Sequence, residues 1–142
     1  MHKVVVDTNI FISAVIKERS NPGRVLNLVK EQKIKLILSS DILAEIGTVL
    51  FYPKLKKIHQ LEAKAIKAYL KRIESISQIV TPAKRLEVIK EDSSDNIYLE
   101  CAIEGRADFI ISGDHHLTDL EFYKGIQIVN PATFLKILPN EK

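Results

Sequence analysis

Cysteine is nearly absent. Cys101 is the only one in 142 residues, so no intrachain disulfide can form, and a reducing compartment is the natural setting. No apolar run approaches the ~20 residues of a membrane-spanning helix. The first residues enter a strand-like segment, Lys3-Val4-Val5-Val6, without a signal-peptide pattern. A cytoplasmic protein with no membrane partner is therefore expected. Only five glycines occur, and none forms a Gly-rich phosphate loop or a GxGxxG motif, which argues against nucleotide binding of those kinds. Repeats, low-complexity tracts and linkers are missing too, so residues 1–142 are expected to form a single domain.

What is present is ordinary in amount and uneven in placement. Hydrophobic residues make up 46% and charged residues 27%, as in a typical globular domain. The formal net charge is +3. From Lys54 to Arg72, seven basic residues face the single acid Glu62, a local balance of +6 that leaves −3 for the rest. A basic segment beside an acidic remainder suits a polyanion lying across the first with a phosphate reaching a cation in the second. Lys57, Lys64, Lys67, Lys71 and Arg72 are the expected contacts to such a polyanion. The plainer reading is a solvated helix face that aids solubility.

Strand-like runs recur at Val4–Val6, Ile34–Leu38, Ile76–Val80, Phe109–Ile111 and Ile126–Val129. Helical patterns lie between them. Ser20-Asn21-Pro22 and Ser39-Ser40-Asp41 read as helix starts. Pro53 should end or bend the second of these helices. Leu61–Ile73 reads as an amphipathic helix with Ile66, Tyr69, Leu70 and Ile73 inward. Ser93 or Ser94 should cap a helix from Asp95 to Glu104 that stops at Gly105, and Pro131–Leu138 reads as a final helix. Leu117–Tyr123 fits a short helix or a loop, and the tail from Pro139 should fray. Alternation of strands and helices implies parallel pairing through right-handed crossovers. The expected fold class is α/β, a three-layer α/β/α sandwich around a mostly parallel sheet of about five strands.

In such a fold, residues just past strand ends gather on one rim, where ligands bind. Asp7 follows Val4–Val6, and Asp114 follows Phe109–Ile111 through Ser112-Gly113. Asp95 and Asn96 open a helix. Glu45 falls at the edge of the apolar stripe made by Ile42, Leu43, Ile46, Val49 and Leu50. Each has a plainer explanation: Asp7 as an N-cap, Glu45 as a flank residue, Asp92 and Asp95 as helix-dipole complements, Asp114 as a turn residue. Their coincidence on one rim favours a site. Two such charges ~4 Å apart repel by ~4 kcal/mol at an effective dielectric of ~20. A divalent cation removes that conflict, and an all-oxygen pocket suits Mg²⁺ or Mn²⁺. His115 and His116 are adjacent without a nearby third nitrogen or sulfur ligand, so they are assigned to the site edge or surface rather than to zinc.

Val4-Val5-Val6-Asp7-Thr8-Asn9, the Glu45 helix ending in Val49-Leu50, Asp95-Asn96 with Leu99-Glu100-Cys101-Ala102, and Ser112-Gly113-Asp114-His115-His116-Leu117 occur in this order. With Gly125–Pro131 and Phe134-Leu135, the chain resembles the PIN-domain family over essentially its whole length. The resemblance implies a Mg²⁺- or Mn²⁺-dependent endoribonuclease, often the toxin of a prokaryotic toxin–antitoxin pair, with RNA as substrate. By motif position, Asp7, Glu45, Asp95 and Asp114 would be the catalytic metal ligands. Thr8, Asn9, Asn96 and Ser112 would support them, with Asp92 as a further acid. Ser93-Ser94 stand where that family tends to show Pro-Asp, which thins the acidic cluster there. A cognate antitoxin and a homodimer are implied by the resemblance alone.

The rival is a module that binds metal and RNA without cutting. A phosphotransferase using Asp7 as nucleophile would want a second Asp where Asn9 stands. A receiver domain would want an acidic pair after the first strand.

Overall fold

The structure, a computed structural model, describes residues 1–83, 85–86 and 95–138. Elements run β1 (Lys3–Val6), α1 (Thr8–Ile16), α2 (Asn21–Lys30), β2 (Lys35–Ser39), α3 (Ser40–Leu50), α4 (Pro53–His59), α5 (Ala63–Ile76), β3 (Gln78–Val80), α6 (Asn96–Gly105), β4 (Phe109–Ile111), α7 (His115–Thr118), β5 (Phe122–Tyr123), β6 (Ile126–Val129) and α8 (Pro131–Ile137). Among the described residues, helices flank a six-stranded sheet of order β3-β2-β1-β4-β6-β5. The expected fold class holds, with one strand more than the sequence pattern suggests. That extra strand, β5, pairs antiparallel with β6, whereas all other pairs are parallel. Two residues on a sheet edge bury too little to leave a periodic signature.

The central strands explain their own composition. Val4, Val5, Val6, Ile110 and Ile111 are at most 1% exposed. Strands covered on both faces need apolar residues at every position rather than at alternate ones, and each buried Val or Ile contributes ~1.5–3 kcal/mol. Around the sheet, α6 touches β1 to β4, α5 packs on α3, and α1 packs on α2 and α3.

Local chemistry sets the helix ends. Ser20 Oγ accepts from Gly23 N–H at 3.3 Å, Ser39 Oγ from Ile42 N–H at 3.3 Å, and Asn130 Oδ1 from Thr133 N–H at 2.8 Å. Pro53 does more than end α3: it opens α4, a position where its missing N–H costs nothing. Ile76 belongs to the end of α5 and not to β3. Gly105 lies inside the last turn of α6, and the residue that reverses the chain is Arg106, at φ 55°. Glycine is needed at 105 for another reason: a Cβ there would collide with the Ile37 side chain. The caps expected at Ser93 or Ser94 and the fraying expected from Pro139 lie outside the described residues.

The strand order positions the candidate site. From β1 the chain moves outward to β2 and β3, then returns to place β4 on the other side of β1. Between β1 and β4 the connections leave in opposite directions, and their carboxyl ends open a crevice. Asp7 and Ser112 stand there, pinned by Asp7 N–H to Ile111 O at 3.0 Å and Ser112 N–H to Val129 O at 2.9 Å.

Candidate metal centre

Asp7 leaves β1 and caps α1, its Oδ1 accepting from Asn9 N–H at 3.4 Å. Its Oδ2 accepts from the Ser112 hydroxyl at 2.6 Å, a contact between residues 105 positions apart in sequence. Ser112, fully buried, also accepts from Asp114 N–H at 2.9 Å. One hydroxyl thus fixes both the carboxylate after β1 and the turn after β4. Asp114 caps α7 in turn, accepting from His116 N–H at 2.9 Å. Capping and membership of an acidic site prove compatible: a carboxylate has about four lone-pair positions, and a cap uses one.

Asp95 precedes α6 and is 6% exposed, as buried as Asp7 at 4%. Its Oδ2 lies 3.6 Å from His116 Nδ1, which lies 3.5 Å from Asp114 Oδ1. Among the described residues, Asp95, Asp114 and His116 form a group whose ligand atoms all lie within 4.8 Å of one another. Of the site edge and the surface, which sequence leaves open for both histidines, His116 takes the first and His115, its side chain 74% exposed, the second. The cause is α7, a single turn that sends consecutive residues in different directions.

Glu45 joins through a residue that sequence reasoning passed over. The Tyr98 hydroxyl lies 3.0 Å from Glu45 Oε2 and 2.7 Å from Thr8 Oγ1, and accepts from Thr8 N–H at 3.2 Å. Its single proton serves one of the two oxygens at a time. Tyr98 sits three positions after Asp95 on α6, a spacing that places both on one helix face. That spacing was the one signal in the sequence; an aromatic at such a position reads more simply as core, and Tyr98 is 1% exposed. Of the expected supporting residues, Thr8 and Asn96 are buried at the site, Asn9 is exposed, and Asp92 lies outside the described residues.

Burial governs the electrostatics. It pushes the Asp7 carboxyl above its usual range, and the nearby Asp114 charge adds to this. The bonds from Ser112, Asn9 and Tyr98 work against it. Tyr98 is driven upward by burial first and then by the charges of Asp7 and Glu45, so it stays a hydroxyl at any working pH. Cys101 is pushed up to about 12 by burial, which leaves it an inert thiol.

The donors fit a divalent cation. Two carboxylates converge on a third atom, His116 Nδ1, which is buried with no hydrogen-bond partner among the described residues. Beside Asp114, a cleft of about 420 Å³ opens among Asn9, Ser13, Asn21, Asn130 and Pro131. Away from the rim, Lys57, Lys64, Lys67, Lys71 and Arg72 are all exposed on α4 and α5, and α5 packs on α3, the helix that carries Glu45.

Comparison with known proteins agrees with this architecture. The sequence description of the PIN domain matches residues 3–116. An uncharacterized protein of Methanocaldococcus jannaschii, MJ1680, is 41% identical over 118 residues, covering 83% of this chain and 74% of that protein. PAE2754 from Pyrobaculum aerophilum superposes with TM-score 0.62 at 16% identity, over 98% of this chain and 90% of that one. VapBC2 from Rickettsia felis, solved bound to a DNA fragment from its promoter, superposes with TM-score 0.58 at 15% identity, over 90% of this chain and 98% of that one.

Proposed function

The chain belongs to the PIN-domain family, and from that premise we propose that it is a metal-dependent endoribonuclease, the toxin of a prokaryotic toxin–antitoxin pair. The observation that carries this reading is the convergence of Asp95, Asp114 and His116 within 4.8 Å, beside Asp7, at the crevice between β1 and β4. The partner half of the proposal leans on the Rickettsia felis complex, whose fold this chain shares.

A bound Mg²⁺ or Mn²⁺ would supply Lewis acidity toward the phosphate and a water that gives up its proton readily. The chain supplies the rest. Asp95 and Asp114 would hold the ion, with Asp7 and Glu45 as the neighbouring carboxylates. Ser112 keeps the Asp7 carboxylate turned inward and ties the Asp114 turn to it. Tyr98 fixes Glu45 relative to the first turn of α1. Burial of Asp7 and Asp95 keeps bulk water from competing, which would strengthen the attraction of their carboxylates for a bound cation. Lysines of α4 and α5 would grip backbone phosphates without reading bases, and the cleft beside Asp114 would offer room for a nucleotide next to the acidic group.

Asp114→Asn is the direct test. It should cut cleavage of a labelled single-stranded RNA in Mn²⁺ by about 10²-fold or more, and EDTA should abolish cleavage by the wild type. RNA that binds in EDTA and is never cut in Mn²⁺ would leave a non-catalytic binding module. Reversing Lys64, Lys67 and Lys71 to Glu should weaken RNA binding and flatten its salt dependence by about 0.7 in log–log slope for each phosphate no longer neutralised. An unchanged slope returns α5 to a solvated face.

A further inference from the structure

We propose that His116 is a direct ligand of the divalent ion through Nδ1, and that this nitrogen makes the site favour Mn²⁺ over Mg²⁺. The inference rests on the metal-dependent reading above and adds to it an atom and a choice of ion.

The position of the ring is determined. The Asp114 cap holds the His116 backbone at 2.9 Å, and the ring packs against His115 with centroids 4.2 Å apart. Its side chain is 30% exposed, yet Nδ1 itself is buried with no hydrogen-bond partner among the described residues. That atom faces Asp95 Oδ2 at 3.6 Å and Asp114 Oδ1 at 3.5 Å.

Two roles compete for such an atom. As an imidazolium it would neutralise the carboxylates by donating to them. Charge-assisted N–H···O bonds close to about 2.7–2.9 Å, and both observed separations are longer. As a neutral ring it presents a lone pair at Nδ1. Two ligands that each sit about 2.1 Å from one ion are held about 3.0–4.2 Å apart, according to the angle between them. The observed spacings fall in that interval and outside hydrogen-bonding range. The geometry therefore favours a shared ion over a shared proton.

Ion choice follows from donor chemistry. Mg²⁺ takes oxygen ligands and keeps its waters; Mn²⁺ shares that preference for carboxylate and water but, as the weakest-binding member of the first-row transition series, also takes an imidazole nitrogen. Two carboxylate oxygens with one ring nitrogen are a mixed set that Mn²⁺ accepts and Mg²⁺ uses poorly.

Pulsed EPR of the full chain loaded with Mn²⁺ reads the bond without reference to activity. Nitrogen-14 modulation from a directly bound imidazole is expected in the wild type. It should vanish in His116→Gln and persist in His115→Gln. Equilibrium dialysis should show Mn²⁺ affinity falling about 10-fold or more in His116→Gln while Mg²⁺ affinity changes little. A wild-type spectrum without nitrogen coupling overturns the proposal, and needs no variant to do so. Equal losses for both ions in His116→Gln overturn it as well, since that is the behaviour of an electrostatic neighbour. Ribonuclease activity accompanied by a nitrogen-free spectrum would sink this inference alone and leave the nuclease standing. A chain that binds neither ion sinks both.

Discussion

Helix α6 and the cap that precedes it carry two buried acids that meet opposite treatment. Glu100, 5% exposed, receives Leu86 N–H at 2.9 Å and the Arg85 guanidinium at 3.2 Å. Arg85 also bonds Asp41 Oδ2 at 2.8 Å, tying the start of α3 to α6. Asp95, 6% exposed, meets His116 and through it Asp114. Both places gather two carboxylates near one basic side chain. A guanidinium is charged at every pH and fixed in a planar fork. An imidazole is charged only on protonation, and when neutral it is itself a ligand. The first cluster is closed by the chain's own cation. The second has the donors of a site that an external cation would close. A structural acid and a candidate catalytic acid thus differ less in burial than in what stands opposite.

Three measurements sharpen or break that contrast. Glu100→Ala should destabilise the fold by about 1–3 kcal/mol, because it leaves Leu86 N–H without its acceptor. Chemical denaturation reads this; a loss no larger than that of a surface mutation would make the Glu100 cluster ornamental. Asp7→Asn should do the opposite and raise the melting temperature measured in EDTA at neutral pH. Burial lifts the folded carboxyl above 3.8, its ordinary value, so the folded state holds the proton more tightly. Below pH 3.8 both states are protonated and nothing is lost. As pH climbs from there through the folded value, ionisation favours the unfolded chain and stability falls. The variant escapes that loss, so its advantage should be absent in acid and full at neutrality, at about 2–4 °C per kcal/mol relieved. A variant that melts lower than wild type at pH 7 would mean that Asp7 is kept for structural reasons. Arg85→Ala should change stability least of the three, and less still in high salt, because the guanidinium is 75% exposed.

Part of this architecture is legible in the residues alone. Fully apolar Val4–Val6 and Phe109–Ile111 betray buried parallel strands, and the polar residues behind them mark the rim. Ser20, Ser39 and Pro131 announce helices because caps and first-turn prolines act within three residues. His116 is beyond such reach: its place depends on α7 turning it toward Asp95, which arrives from another helix. Tyr98 hides inside an apolar pattern because a ring buries alike whether or not its hydroxyl has work. Glycine at 105 misleads by one position, since its cause is the Ile37 side chain and not backbone freedom. Strand β5 is held by two pairings with β6, and pairings of that kind leave no local trace.

The hydroxyl of Ser112 reaches back 105 positions to Asp7. Until β4 has slotted in beside β1, Asp7 and Asp114 stand far apart on a loose chain. A ribosome partway through translation therefore carries an unassembled site. For a protein proposed to cut RNA, that late closure would spare the very message being read.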